Sequence, residues 1–213
     1  MKPKLHITRL QVGQMAANCY LLTDHETQKT LIIDPGDDAE YIIDSILKQK
    51  VTPIGIVLTH GHFDHVLAAF PIQIAFGIPC MAHPADNFLL SRMQETAKHF
   101  LGLPHIDPPP RVDVALGKTS MIDVGMCRLT IREIPGHTPG SIMIHHKESE
   151  SVFVGDVLFA DGAVGRTDHG YSSVGDLKRS IRTILALPDR TQIYPGHGEI
   201  TTVELAKSYH PVS

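Results

Sequence analysis

Four side chains able to bind metal ions lie close together in the segment THGHFDH, residues 59–65. His60 and His62 are two residues apart, so on an extended backbone both point the same way and one ion can bind both. Asp64 and His65 follow after the chain turns, and they suit a second ion. Imidazole and carboxylate groups bind zinc, iron or manganese, and divalent ions about 3.5–4 Å apart are a common hydrolytic arrangement. The segment therefore predicts a pair of metal ions.

Three further candidate ligands each follow an apolar run. They are His137 in PGHTPGS, Asp156 in VFVGDVLF and His197 in YPGHG. Each alone has an ordinary explanation as a helix cap, a turn residue or a hydrogen-bonded core histidine. Together with the first segment, they favour one shared site.

The elements that position these residues are short, β-branched apolar runs, each ending in a small polar cluster. This pattern is typical of buried strands that present functional groups at their ends. The runs cover residues 31–34, 55–59, 129–134, 151–156 and 191–197. Helical periodicity lies between them, which predicts the α/β fold class with helices covering the sheet faces.

Two segments have the apolar spacing of one helix face. Residues 39–49 predict a helix for which Asp37 or Asp38 is available as the cap, and residues 176–187 predict a second that ends before Pro188. Residues 65–76 are helical in pattern, but Pro71 favours a break there and the start of a second helical piece. Residues 84–111 combine a helical segment with a proline run, and we interpret them as an insertion near the site and a candidate lid.

Composition restricts the class of protein. The 213 residues suit one folded domain, with 42% hydrophobic and 20% charged residues. A formal charge of -4 without runs of Lys or Arg disfavours nucleic acid and anionic membranes as partners. The three cysteines, Cys19, Cys80 and Cys127, are widely spaced, and we expect small buried side chains. With no apolar segment long enough for a leader or a membrane span, we expect a cytoplasmic protein.

The motifs THGHFDH, PGHTPGS, VGDVLF and YPGHG, in this order, resemble those of the metallo-β-lactamase superfamily. With the early segment LIIDPG, the match covers nearly the whole chain and is most similar to the short, single-domain glyoxalase II-like (hydroxyacylglutathione hydrolase-like) branch. The resemblance implies an αββα sandwich over residues 1–213, with the site along one edge between two sheets.

The resemblance also implies roles for individual residues. One metal would be held by His60, His62 and His137, the other by Asp64, His65 and His197, with Asp156 bridging the two. Asp64 and Asp156 are accordingly the candidate catalytic carboxylates. Asp34, in IDPG, would orient a ligand histidine; an Asp shaping a Pro-Gly turn is the ordinary alternative.

Two metal ions that share a water lower its pKa towards roughly 7, so hydroxide forms without a separate base. A thioester is a natural target, because its thiolate leaves without help from an acid. The resemblance implies hydrolysis of S-lactoylglutathione or a related acyl-thioester. Fuller members of the branch bind glutathione partly through a C-terminal helical domain, whereas this sequence ends soon after His197. Zinc is the favoured ion, with iron or manganese as alternatives.

Arg166, in GAVGRTD, is a candidate for binding a substrate carboxylate. A structural ion pair with Asp168 or Asp161 is the alternative interpretation. We expect a small-molecule substrate, and the sequence leaves the oligomeric state open.

Three rival functions remain. A persulfide dioxygenase also has a GRTD segment, and it would hold a single iron through His60, His137 and Asp156. Other hydrolases of the superfamily act on lactones, β-lactams or phosphoesters, and the fold does not choose among them. A non-catalytic metal-binding protein is the alternative from another class, although no ligand of the set is missing.

Overall fold

Two six-stranded sheets and six α-helices make up the computed structural model, which describes residues 4–117 and 120–210. Residues 1–3, 118–119 and 211–213 of the domain predicted over 1–213 lie outside the described residues. The strands of the first sheet are β1 (Leu5–Val12), β2 (Ala17–Asp24), β3 (Lys29–Ile33), β4 (Thr52–Val57), β5 (Cys80–Ala82) and β6 (Val112–Ala115). Those of the second are β7 (Met121–Val124), β8 (Cys127–Glu133), β9 (Ile142–His146), β10 (Ser151–Gly155), β11 (Gln192–Pro195) and β12 (Thr201–Thr202).

The helices lie on the outer faces of the sheets. They are α1 (Ala39–Gln49), α2 (Ala69–Phe76), α3 (Asn87–Ser91), α4 (Met93–Leu101), α5 (Val174–Leu185) and α6 (Val203–Tyr209). In the first sheet, β1 to β3 pair antiparallel and β3 to β6 pair parallel, in chain order. In the second sheet the order is β12-β11-β10-β9-β8-β7, and β10 and β11 form its parallel pair.

Apolar side chains form three packed clusters that separate these layers. The middle cluster lies between the sheets and includes Leu31, Ile131 and Phe153. One outer cluster packs the first sheet against helices, with Ile42 and Ile72 among its members, and the other packs the second sheet against α5 and α6. The layers therefore follow the order helix, sheet, sheet, helix, which confirms the predicted αββα sandwich.

Main-chain contacts join the two sheets at the edge where the ligand motifs lie. Ala17, at the start of β2, forms an isolated bridge with His197, and the Asn18 amide donates to the Gly196 carbonyl at 2.7 Å. At a second point the Ile142 amide donates to the Thr59 carbonyl at 2.9 Å. These bonds fix one sheet against the other at the strand ends that carry the candidate ligands.

Both predicted helices are present, the second with shifted ends, and the predicted side-chain cap of the first by Asp38 is wrong. Helix α1 covers residues 39–49, as predicted, but Asp38 adopts a left-handed conformation and makes no side-chain cap bond. Its carboxylate accepts from the Gly13 amide at 2.8 Å instead. Helix α5 covers Val174–Leu185, so it begins and ends two residues before the predicted range 176–187. The Ser173 hydroxyl caps it by accepting from the Asp176 amide.

Pro71 lies in the first turn of α2, and a separate 3-10 turn, Phe63–His65, precedes that helix, so the predicted break is confirmed. The segment 84–111 contains a 3-10 turn (Pro84–Asp86), α3, α4 and an extended stretch that leads to β6. Helix α4 packs on the ligand loop, where the rings of Phe63 and Phe100 stack at 5.6 Å.

None of the helices within residues 4–117 and 120–210 is long and apolar enough to span a bilayer. Cys19, Cys80 and Cys127 are all buried and free, which confirms the expectation of small buried side chains. Burial raises the pKa of each thiol, that of Cys80 to about 12, so these cysteines are not activated nucleophiles.

Gly36, in the loop between β3 and α1, lies directly against the ligand loop. A β-carbon at Gly36 would stand 1.9 Å from the Asp64 carbonyl oxygen, which is main chain and cannot rotate away. We therefore expect Gly36→Ala to lower the free energy of unfolding by at least about 1–3 kcal/mol, the usual cost of overpacking. Urea unfolding followed by circular dichroism measures this change.

Gly175→Ala is the matched control for Gly36→Ala. A β-carbon at Gly175 would meet no neighbour closer than 3.8 Å, and the position lies in the first turn of α5. Alanine there is expected to leave stability unchanged or to raise it by up to about 1 kcal/mol. Equal stability of the two variants would contradict the close approach of Gly36 to the ligand loop.

Candidate metal centre

The candidate ligands project from loops at the carboxyl ends of strands. β4 ends at Val57, and the chain continues through Thr59 to His60 and His62 before it enters the 3-10 turn Phe63–His65. β10 and β11 end immediately before Asp156 and Gly196, respectively. Strand ends that converge at one edge can place residues distant in sequence on a common centre.

The first ligand set consists of His60, His62 and His137. One ring nitrogen of each lies within 4.8 Å of those of the other two. Nδ1 of His62 is 2.9 Å from Nε2 of His137, and the three rings pack edge to face. His60 and His137 are buried, while His62 is half-buried at the cavity wall.

The second ligand set consists of Asp64, His65 and His197, whose ligand atoms also lie within 4.8 Å of one another. Nε2 of His197 is 3.2 Å from Oδ2 of Asp64 and 3.2 Å from Nε2 of His65. This set faces the first set across the carboxylate of Asp156.

Asp156 lies between the two sets. Its Oδ1 is 3.4 Å from Nε2 of His65, and its Oδ2 is 3.6 Å from Nε2 of His197 and 3.9 Å from Nε2 of His137. The structure therefore brings all seven residues that the sequence nominated as ligands to one centre, with Asp156 in contact with both sets.

The polar atoms of the centre suit divalent cations. Among the described residues, Nε2 of His60 and Oδ1 of Asp156 are buried without any hydrogen-bond partner. Buried polar atoms without partners are costly, and a cation would satisfy both. Three imidazoles form one set and two imidazoles with a carboxylate form the other, which are ordinary donors for zinc, iron or manganese.

Burial and mutual repulsion keep the first set neutral. Burial, followed by the nearby imidazoles of His65 and His62, holds the pKa of His60 well below its ordinary value. Burial and the adjacent His137 lower the pKa of His62 to about 3. Burial also lowers the pKa of His137. Neutral imidazole is the form that binds a metal ion.

Asp64 and the neighbouring Asp156 determine the direction of the pKa shifts in the second set. Burial alone would lower the pKa of His65, but Asp156 and Asp64 outweigh it and raise that pKa well above its ordinary value. The pKa of His197 is raised against the effect of burial by its hydrogen bond to Asp64. Although burial opposes ionisation of Asp156, the neighbouring His65 holds the pKa of this carboxyl below its ordinary value. The carboxylates are therefore ionised.

Asp34 holds His65 in place. Its Oδ1 accepts from the Thr59 amide at 2.7 Å, and its Oδ2 accepts from the Thr59 hydroxyl at 2.5 Å and lies 3.1 Å from Nδ1 of His65. Asp34 and His60 also lie near enough to His65 to form a third potential ligand cluster. Because both Asp34 oxygens already have partners, we interpret this residue as one that orients His65, the role the resemblance implies.

Two further contacts orient the first set. The Nδ1 atom of His137 lies 3.0 Å from the carbonyl oxygen of Arg166, to which an Nδ1–H donates. The Nε2 atom of His62 lies 2.9 Å from the hydroxyl of Tyr171, whose ring stacks on His169. In both histidines, the nitrogen opposite to the contact faces the centre, so these contacts fix the ring orientations.

A cavity of about 540 Å³ opens over the centre. Its apolar wall is formed by Met15, Leu89, Phe100, Phe159 and Val164. Two guanidinium groups, of Arg92 and Arg166, also line it. Arg166 donates two hydrogen bonds to Asp168, at 3.0 and 2.6 Å. The structural ion pair that was the alternative interpretation of Arg166 is therefore present, although the side chain also lines the cavity. Within the described part of the chain, the Arg92 guanidinium makes no hydrogen bond or ion pair.

Sequence reasoning missed three residues that surround the centre: Tyr171, which contacts His62, Arg92 on the cavity wall, and Asp86, which bonds to the ligand loops. Tyr171 lies in a loop with no strand or helix pattern to mark it. Arg92 lies within the segment 84–111, which was predicted to lie near the site. Asp86 follows soon after the apolar strand β5, so the rule that found the other strand-end carboxylates was applicable to it.

Comparison with known proteins agrees with this geometry. The model of the metallo-beta-lactamase superfamily matches residues 12–197. The hydroxyacylglutathione hydrolase GloC of Haemophilus influenzae is 38% identical over 211 residues, which cover 97% of each chain. The probable metallo-hydrolase YqgX of Bacillus subtilis is 32% identical, with 95% of each chain covered.

Solved structures show the same fold. BLEG-1, a B3 metallo-beta-lactamase, superposes with a TM-score of 0.87 at 31% identity and covers 97% of this chain and 98% of its own. TTHA1623 in a di-iron-bound form superposes with a TM-score of 0.85 at 33% identity, and the match covers 96% of this chain and 98% of that of TTHA1623. The chain therefore belongs to the metallo-β-lactamase superfamily of metal-dependent hydrolases, in the glyoxalase II-like branch that its motifs predicted.

Proposed function

We propose that this protein is a binuclear metal-dependent hydrolase of acyl-thioesters, with S-lactoylglutathione as the representative substrate. The observation that carries the proposal is the pair of adjacent ligand sets that share Asp156, with buried atoms left unpartnered between them. Similarity to GloC, a hydroxyacylglutathione hydrolase, supports the thioester. Similarity to TTHA1623 in its di-iron-bound form supports two ions and leaves zinc, iron and manganese as candidates.

The ligands would be the seven residues of the centre. His60, His62 and His137 would hold one ion, Asp64, His65 and His197 the other, with Asp156 against both. Bound there, divalent ions would supply Lewis-acid polarisation of a carbonyl oxygen and would acidify water near neutral pH.

The chain's own residues organise the reaction around that centre. Asp34 holds the ring of His65, the Arg166 carbonyl holds that of His137, and the Tyr171 hydroxyl holds that of His62. Fixed rings keep the donor atoms convergent without reorganisation during turnover. The apolar wall excludes water from the acyl group, and a thiolate leaving group, with a reference pKa near 8.5, departs without a protein acid.

The two arginines that line the cavity favour an anionic substrate. Arg92 is exposed on one wall, and its guanidinium is free of partners among residues 4–117 and 120–210. Arg166 already binds Asp168, so a substrate carboxylate would have to compete for it. Glutathione carries two carboxylates, and Arg92 is positioned on the same cavity as the ligands. Arg92 is therefore the cation we assign to the substrate, with Arg166 in a lesser role.

The cytoplasm is the compartment we propose, because three buried, free cysteines suit a reducing environment. A small molecule is the proposed partner, rather than nucleic acid or membrane. A second candidate function is hydrolysis of a β-lactam, which the likeness to BLEG-1 at 31% identity favours. Because these rivals use the same centre, substrate assays must separate them.

The first test pairs metal content with turnover. Purified full-length protein is analysed for metals per chain, and the same sample is assayed for thiol release from S-lactoylglutathione and for hydrolysis of nitrocefin. We expect two ions per chain and thiol release. One iron per chain without thiol release would identify the protein as a persulfide dioxygenase instead. Two ions per chain with hydrolysis of nitrocefin alone would identify a β-lactam, rather than a thioester, as the substrate.

Removal of one ligand should abolish turnover without unfolding the chain. His62→Ala deletes a nitrogen of the first set, while its position on a loop leaves the packed layers intact. We expect activity below a few percent of the wild-type rate, measured as kcat with the far-UV circular dichroism unchanged. His105→Ala, at a histidine whose side chain is 86% exposed, is the control and should retain full activity. Substantial activity in His62→Ala would contradict the mechanism.

The two arginines should differ in their effect on KM. Arg92→Met is expected to raise KM for S-lactoylglutathione about three- to tenfold, the range for one exposed ionic hydrogen bond, with kcat little changed. KM for the neutral S-lactoyl thioester of N-acetylcysteamine should stay constant. Arg166→Met should have the smaller effect, because Asp168 already binds this group. An unchanged KM for the anionic thioester in Arg92→Met would remove Arg92 from the substrate site.

A further inference from the structure

Asp86 is a buried carboxylate at the start of the segment 84–111, only 2% exposed. Its Oδ1 accepts from the Gly140 amide at 2.7 Å. Its Oδ2 accepts from the Gly61 amide at 2.8 Å and from the Thr138 hydroxyl at 2.7 Å. Both oxygens are therefore occupied by donors that come from two loops far apart in the sequence.

Those two loops carry the whole first ligand set. Gly61 stands between His60 and His62, and Thr138 directly follows His137. The first loop leaves the first sheet after β4, and the second precedes β9 in the second sheet. Asp86 thus accepts from the Gly61 amide between His60 and His62, and from the Thr138 hydroxyl and the Gly140 amide just after His137, across the junction of the sheets.

The contact is also close in space. A β-carbon at Gly140 would lie 2.6 Å from Cγ of Asp86, and one at Gly61 would lie 3.0 Å from Cβ of Asp86 and 2.9 Å from Cβ of Leu89. Glycine at both positions lets the two loops approach the carboxylate to hydrogen-bonding distance. Neither loop has room to shift towards Asp86, and three hydrogen bonds oppose a shift away from it.

We infer that Asp86 is a positioning residue for the first ligand set, which fixes the spacing of the His60–His62 loop against the His137 loop. We expect the second set to depend less on it, because Asp34 holds His65 and no hydrogen bond joins Asp86 to Asp64, His65 or His197 within the described residues. The inference rests on the proposed binuclear function. It predicts that loss of Asp86 weakens the binding of one ion and leaves the binding of the other unchanged.

The test is a stepwise titration of the metal-free protein with Zn²⁺. Binding of each ion is measured by calorimetry and by competition with a chromophoric chelator. In Asp86→Ala, we expect the affinity for one ion to fall about 10- to 100-fold, the range for residues that orient ligands. The affinity for the other ion should stay within about twofold of wild type, so that at intermediate zinc the variant holds one ion per chain.

Asp24→Ala is the matched control. Asp24 is also fully buried, and it accepts from the Thr27 amide and hydroxyl and from the Met126 amide, so it too joins two loops. It lies at the opposite end of β2 from Ala17, roughly 23 Å away along the strand. This variant should lower stability while leaving both zinc affinities unchanged. Equal loss of zinc affinity in Asp24→Ala and Asp86→Ala would reduce Asp86 to a general stabilising role and overturn the inference.

Thr138→Val supplies a milder variant if Asp86→Ala does not fold. It keeps the carboxylate of Asp86 and removes one of the three hydrogen-bond donors to it, so the affinity for the same ion should fall by a smaller factor. Wild-type affinity for both ions in Thr138→Val would also overturn the inference.

Hydrogen exchange in the metal-free protein separates this inference from the proposed function. Asp86→Ala should speed amide exchange at Gly61 and Gly140, whose amides lose their acceptor, and leave Thr59 protected by Asp34. Unchanged exchange at both glycines would count against Asp86. A wild-type chain that binds fewer than two zinc ions would instead refute the binuclear function, with the exchange result still deciding the role of Asp86.

Discussion

The convergence of five imidazoles and two carboxylates on one edge of the sandwich is the constraint around which the molecule is organised. Burial makes protonated imidazoles and unpartnered lone pairs costly, and the crowding of like groups adds to that cost. The pKa of His62 is about 3 as a result, while the carboxylates raise the pKa of His65. Such a cluster persists only if the surrounding main chain prevents it from spreading apart.

Cross-sheet bonding meets that need. The bridge between Ala17 and His197, and the bond from the Ile142 amide to the Thr59 carbonyl, tie the sheets together at the strand ends. Packed side chains from both sheets fill the layer behind them, so the separation of the sheets is set by a core that does not compress easily. The distance between ligands on different sheets, such as His62 and His137, follows from that separation.

The sequence was sufficient for features with a local pattern. Apolar runs ending in polar clusters located the strand tips, and a spacing of two residues placed His60 and His62 together. It was insufficient where a role depends on contacts between distant segments: Asp86 bonds to a residue 54 positions away, and Tyr171 reaches His62 across 109 positions. The predicted cap of α1 was wrong for the same reason, because the Asp38 carboxylate accepts a hydrogen bond from the distant Gly13 amide. Local periodicity carries no information on such pairs.

The segment 84–111 contributes both to the cavity wall and to the organisation of the centre. Its first turn contributes Asp86, which bonds to both loops of the first ligand set. Arg92, between α3 and α4, and Phe100, in α4, contribute to the cavity wall. A substrate bound against that wall, as proposed, would contact the segment that also carries Asp86. Asp34, in the loop between β3 and α1, holds His65 directly, and its partner Thr59 places a hydroxyl 3.1 Å from Nδ1 of His60. The segment 84–111 therefore joins the proposed substrate wall to the first ligand set, so we expect changes in this segment to affect both.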